Sequence, residues 1–122
     1  GVDSMGSGYG HELPMAGMTP TQLTLRELRK EWPLVAVVEF WTPFPKPHGR
    51  RVDLFGIIDV IAVGPKGTLA VQCTSASNMS SRVTKIGESE HIGAIREAGW
   101  AIEVHGWRKP KNRWIQRVVD VS

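Results

Sequence analysis

The run DLFGIIDVIAVGPKGTLAVQCTS, residues 53–75, limits the fold more than any other part of the chain. Two β-branched, apolar stretches flank Gly64-Pro65-Lys66-Gly67, whose glycines and proline suit a tight chain reversal. Residues 52–63 and 68–74 therefore read as neighbouring antiparallel strands. If the turn closes symmetrically, Val63 faces Thr68 and the numbers of facing residues sum to 131, so Asp59 faces Gln72 and Ile57 faces Thr74. Facing side chains leave the same side of the sheet with Cβ atoms ~4.5–5.5 Å apart, so a carboxylate and an amide meet among Ile57, Ile58, Val60 and Ile61. A carboxylate in such surroundings is costly unless something compensates it. Two compensations are open: a hard divalent cation, which takes oxygen ligands, or hydrogen bonds from an arginine or from backbone amides. The pairing requires an unbroken ladder, and Gly56 is a candidate bulge site.

The remaining elements follow from caps and periodicity. Residues 1–18 are Gly-rich without a hydrophobic period and read as an expression remnant or a disordered arm, leaving residues 19–122 as one domain. Thr19-Pro20-Thr21-Gln22 forms a capping box with proline at the first helical position; Leu25, Leu28 and Trp32 then recur at helical spacing until Pro33. Residues 34–41 read as a strand interrupted by Glu39, and a Pro-rich connection follows. Ser77 or Asn78 caps a helix with Met79, Val83 and Ile86 on one side and Arg82 and Lys85 on another. A second helical segment over 89–98 turns Ile92 and Ile95 inward and stops at Gly99. Residues 101–107 and 113–121 alternate as a last hairpin. The expected class is α/β or α+β, a mixed sheet flanked by helices in the order α-β-β-β-α-β-β.

A chain of 122 residues with 41% hydrophobic content can bury a core unaided. Its single cysteine excludes an internal disulfide, and no Cys/His spacing suits zinc, so Cys73 fits a reducing, cytoplasmic setting. Cys73 shares strand parity with Leu69 and Val71, which makes it a core residue rather than a nucleophile. No apolar run is long enough to span a membrane. His48, His91 and His105 have no spacing that suggests a triad or a metal cluster. The net charge of +3 is unevenly placed: residues 108–117 hold five basic residues and no acid, with Trp107 and Trp114 flanking, and Lys46, Arg50 and Arg51 form a second group beside His48. Basic residues interleaved with aromatics can follow a phosphate backbone and offer flat faces to bases; the alternative is a solvated hairpin over a packed Trp pair.

The arrangement Gly56-x-x-Asp59, a short turn, then Gln72-x-Thr74, after a helix and strand and before a helix bearing Arg82 and Lys85, resembles the PD-(D/E)XK nuclease superfamily, most nearly its small Holliday-junction-resolvase-like and VRR-NUC-like branches. The resemblance implies a restriction-endonuclease-like mixed sheet and a Mg²⁺- or Mn²⁺-dependent endonuclease that hydrolyses DNA, with branched or structured DNA among the candidate substrates. It makes Asp59 the principal metal ligand, Gln72 the second, and the Cys73 carbonyl a third. It also implies an assisting acid, for which Glu27, Glu31 or Glu39 is available. Asp53 reads as a cap at the strand's start, with an extra ligand as the other option. Thr74 occupies the position of the superfamily's lysine, so Lys85, or Arg82 beside it, would have to supply that charge from the following helix. Arg50, Arg51, Arg82, Lys109, Lys111 and Arg113 are the expected DNA contacts, and pairing of two copies is expected of a small nuclease that cuts both strands. The alternative is a catalytically inactive nucleic-acid-binding or interaction protein on the same fold.

Overall fold

The computed structural model describes residues 17–122. Most of the arm expected over residues 1–18 thus lies outside the described residues. The first helix, α1 (Pro20–Leu28), begins as its sequence dictates: the Thr19 hydroxyl accepts from the Gln22 amide at 3.2 Å, and the Gln22 side chain accepts from the Thr19 amide at 2.9 Å. It ends a turn earlier than the apolar spacing suggests, with the Trp32 amide still donating to the Leu28 carbonyl.

Seven strands follow where five were expected, because two expected strands are each divided. Residues 34–41 split into β1 (Leu34–Val37) and β2 (Phe40–Thr42), and the expected strand over 52–63 becomes β3 (Arg50–Val52) and β4 (Val60–Gly64). Both breaks fall beside acids. Glu39 stands between β1 and β2, while Asp53 and Asp59 bound a tight excursion in which Phe55 and Gly56 adopt positive φ (55° and 76°). The chain then runs through β5 (Gly67–Ser75), α2 (Met79–Gly87), α3 (Ile92–Glu97), β6 (Ala101–Arg108) and β7 (Ile115–Asp120).

Five strands form one mixed sheet in the order β1-β4-β5-β6-β7, in which only β5 and β6 are parallel; β2 and β3 pair separately as a two-stranded ribbon. The helical connection α2–α3 between β5 and β6 is the crossover that a parallel pair requires. Helices cover both sides of the sheet. Leu28 of α1 packs with Val60, Ala62, Leu69, Val71 and Cys73, whereas Met79 and Ile86 of α2 and Ile92 and Ile95 of α3 pack with Ala70, Ile102 and Val104. Alternate residues of β5 thus serve opposite cores, as a strand buried on both sides demands. Gly106 is required by that packing, since a Cβ there would collide with the Met79 side chain and stand 3.2 Å from the Ala76 Cα. No helix among the described residues is long and apolar enough to cross a membrane.

A candidate acidic metal centre

The hairpin keeps the register its turn implies: Gly64 pairs Gly67, Val63 pairs Thr68, and the sum of 131 persists to Val60 and Val71. It changes at Asp59. The Asp59 amide donates to the carbonyl of Val71 (2.9 Å), the residue that already pairs Val60, so two residues of one strand face one of the other in the manner of a bulge. Asp59 and Gln72 are therefore not paired in the ladder as expected, and the bulge falls at Asp59 rather than Gly56. Their side chains still meet. Gln72 Nε2 donates to Asp59 Oδ2 at 2.6 Å, and the Cys73 amide donates to the same oxygen at 2.8 Å. The aspartate side chain has taken the amide that an unbroken ladder would have used.

Two further carboxylates converge on this point. Oxygens of Glu39, Asp53 and Asp59 lie within 4.8 Å of one another, a grouping suited to a metal ion. Asp53 belongs to the cluster rather than acting only as a strand cap, and Gln72 Nε2 lies 3.5 Å from its Oδ2. The acids come from three chain segments: the β1–β2 break, the end of β3, and the residue before β4. Val38 joins the first and third, its amide donating to the Asp59 carbonyl at 2.8 Å. Of the three glutamates considered, Glu39 is the one that joins the other acids. Glu27 and Glu31 instead line a cavity of about 340 Å³ under α1, with Trp32, Glu103, His105 and Gln116, and Glu27 forms an ion pair with Lys30 at 3.0 Å.

The electrostatics are those of an unbalanced site. Asp59 is 3% exposed, and its pKa is pushed up to about 7, chiefly by burial and further by Asp53, against the opposing bonds from the Cys73 amide and Gln72. Two cations stand at the margins: Arg51 Nη1 lies 3.2 Å from Glu39 Oε1, and Lys85 Nζ lies 3.9 Å from Asp53 Oδ2. Lys85 is thus brought to the acids from α2, while Arg82, one turn earlier, has a half-buried side chain. Gln72 is 2% exposed; its Nε2 serves the carboxylates, and its Oε1 is buried without a hydrogen-bond partner. An amide that faces carboxylates with its donor end and strands its acceptor is half satisfied, and a cation among the acids would favour the opposite orientation, with Oε1 inward.

These residues fit a hard divalent cation. Glu39, Asp53, Asp59 and Gln72 Oε1 would hold it, all oxygen donors. The Cys73 carbonyl leaves the strand edge that its N–H shares, and that N–H already reaches Asp59. The Cys73 thiol plays no part: it lies in the α1-side core with its pKa pushed up to about 12, mainly by burial, as its strand parity implies. Thr74 is buried two residues beyond Gln72 on the same side of the strand.

The basic residues are divided. Arg50 and Arg51 lie on β3, exposed, opposite Thr42 and Trp41 of β2. Lys111 and Arg113 are exposed in the β6–β7 connection, and Lys109 Nζ sits 5.2 Å above the Trp114 ring. Trp107, read as a flanking aromatic, is a core residue whose Nε1 donates to Thr24 Oγ1 at 3.0 Å under α1. Among the described residues the most exposed aromatics are elsewhere: Phe40, Trp41 and Phe44 are 59%, 62% and 62% exposed. Their interleaving with Pro, Lys and Arg in FWTPFPKPHGRR is the signal that could have found them. No family model matches the chain, and no curated protein or solved structure does either.

Proposed function

We propose that this chain is a Mg²⁺- or Mn²⁺-dependent nuclease that hydrolyses DNA phosphodiester bonds, built on a restriction-endonuclease-like sheet. The observation that carries this reading is the convergence of three acids from three segments beside a buried glutamine with a stranded acceptor, where an aspartate is held close to neutrality in pKa. Glu39, Asp53, Asp59 and Gln72 would hold the cation, which would supply a more acidic attacking water and positive charge opposite the phosphoryl oxygens.

The chain's own groups supply the rest. Lys85, on α2 beside Asp53, stands in for the lysine absent at Thr74 and orients the water. Arg51, tied to Glu39 in the free protein, can exchange that partner for a substrate phosphate, and Arg50 adds a second exposed guanidinium on the same ribbon. Arg82 and the exposed Lys111 and Arg113 extend the positive surface. Pairing of two copies would place two such sites on a duplex. The buried, unreactive Cys73 accords with a cytoplasmic setting.

The test is cleavage of plasmid and branched DNA with Mg²⁺ or Mn²⁺ by wild type, Asp59→Ala, Gln72→Ala and Lys85→Ala. Loss in the first two is expected, and activity that survives both rejects the site. Turnover unchanged by Lys85→Ala removes the lysine from its role. Thr74 in the lysine position favours a second reading, a nucleic-acid-binding protein without chemistry; salt-sensitive binding with no cleavage under either metal would establish it.

A further inference from the structure

The β2–β3 ribbon carries three exposed aromatics, yet residues 40–52 contain Lys46, Arg50, Arg51 and His48 and no acid. A two-stranded ribbon is marginally stable alone, and large aromatic faces left in water next to cations invite a polyanion with flat groups. The ribbon's position is specific. Glu39 immediately precedes β2 and Asp53 immediately follows β3, so two carboxylates of the acidic cluster form its base. Side chains alternate along a strand and directly opposed residues share a side. Trp41 and Arg51 are directly opposed, and Glu39 has the parity of Trp41; the Arg51–Glu39 ion pair confirms that these groups share one side.

Trp41 therefore stands on the side continuous with the cluster, two residues and about 7 Å along the chain from Glu39. A base on Trp41 therefore belongs to a nucleotide close along the strand to the one whose phosphate meets the acids. Lys46 Nζ lies 5.8 Å from the Phe44 ring centroid, a further cation joined to an aromatic face. In a duplex the base faces are occupied by their neighbours, so Trp41 can be used only by an unstacked base.

We infer that Trp41 is a stacking platform for an unpaired nucleotide, and that the substrate class of the acidic site is DNA with a single-stranded segment next to the phosphate at the cluster. This rests on the nuclease reading for the second clause and on the ribbon alone for the first.

The test is fluorescence anisotropy of a labelled single-stranded oligothymidylate and of a blunt duplex of equal length, in EDTA, with wild type, Trp41→Ala and Trp41→Phe of the whole chain. The expected result is tighter single-strand binding by wild type, about a tenfold loss in Trp41→Ala, near-recovery in Trp41→Phe, and duplex binding unchanged by either. Equal losses on both DNAs, or no loss on the single strand, overturns the inference. So does an absence of oligonucleotide binding with altered sedimentation of Trp41→Ala, which would make the ribbon a protein interface. Binding in EDTA needs neither metal nor turnover. A Trp41 effect without cleavage under Mg²⁺ or Mn²⁺ therefore defeats the nuclease reading and leaves the platform standing, whereas cleavage without a Trp41 effect does the reverse.

Discussion

The two sides of the central sheet bury polar groups in opposite ways. Under α1, the Trp107 indole donates to Thr24, and the His105 ring lies between Glu103 (2.9 Å) and Gln116 (3.1 Å). The buried Trp107 and His105 rings thus each have a complementary partner, the ordinary condition of a protein interior. On the α2 side, three acids crowd together, Gln72 spends its donors on them, and its acceptor is stranded. The first pairs its donors with acceptors; the second gathers like charges, with Arg51 and Lys85 only at its margins. Burial alone does not separate the two arrangements, since Thr24 and Asp59 are both buried. The state of the partners does.

That contrast breaks most sharply at Asp59. Asp59→Asn should lower DNA cleavage by at least about a hundredfold while raising metal-free stability at pH 8 by about 1 kcal/mol, because the carboxamide can still accept the Cys73 amide without adding to the like-charge crowd. Parallel cleavage assays and urea melts in EDTA check both halves; a variant that is less stable and still active would place Asp59 with the structural polar groups. Thr24→Val should behave inversely. Removing the acceptor of the Trp107 indole should cost about 1–3 kcal/mol in the same melts and leave turnover per folded molecule unchanged.

The pH dependence sharpens the comparison further. An aspartate of ordinary pKa 3.8 raised to about 7 binds its proton more tightly in the folded chain. Its contribution therefore stabilises the metal-free fold below about pH 4, is lost progressively as pH rises to about 7, and is level above that. With excess Mg²⁺ the trend should turn, since the cation competes with that proton and binds better as pH rises toward 7. Urea midpoints between pH 5 and 8, with EDTA and with Mg²⁺, measure the two slopes, and parallel slopes would argue against a cation at Asp59. The smallest effect expected is at Cys73. Its thiol should stay unreactive toward a disulfide reagent under native conditions and react once the chain is unfolded in urea.

The cap of α1 and the β4–β5 register were legible in the residues because both depend on contacts within a few positions of a turn or a helix start. So was the meeting of Asp59 with Gln72, although the bulge at Asp59 reached it by a different route. The division of residues 34–41 and 52–63 was not legible. β-branched content marks extended chain equally well on either side of Glu39 and Asp53, and it carries no sign of where the chain leaves the ladder beside those acids. Trp107 and Trp41 were equally ambiguous: both are aromatic residues near basic ones, and only the location of α1 separates the buried from the exposed.

From its sequence alone, this protein was bound to form the capped first helix and the hairpin closed by Gly64 and Gly67, since these follow from hydrogen bonds and side-chain parity over short separations. Which acids completed the cluster, that Lys85 reached it while Glu27 and Glu31 went to the other side, and that Trp41 rather than Trp107 faces solvent were decided only by the folded chain. Those outcomes depend on which side of the sheet each distant segment returns to, and that choice is made by the packing of whole helices and strands.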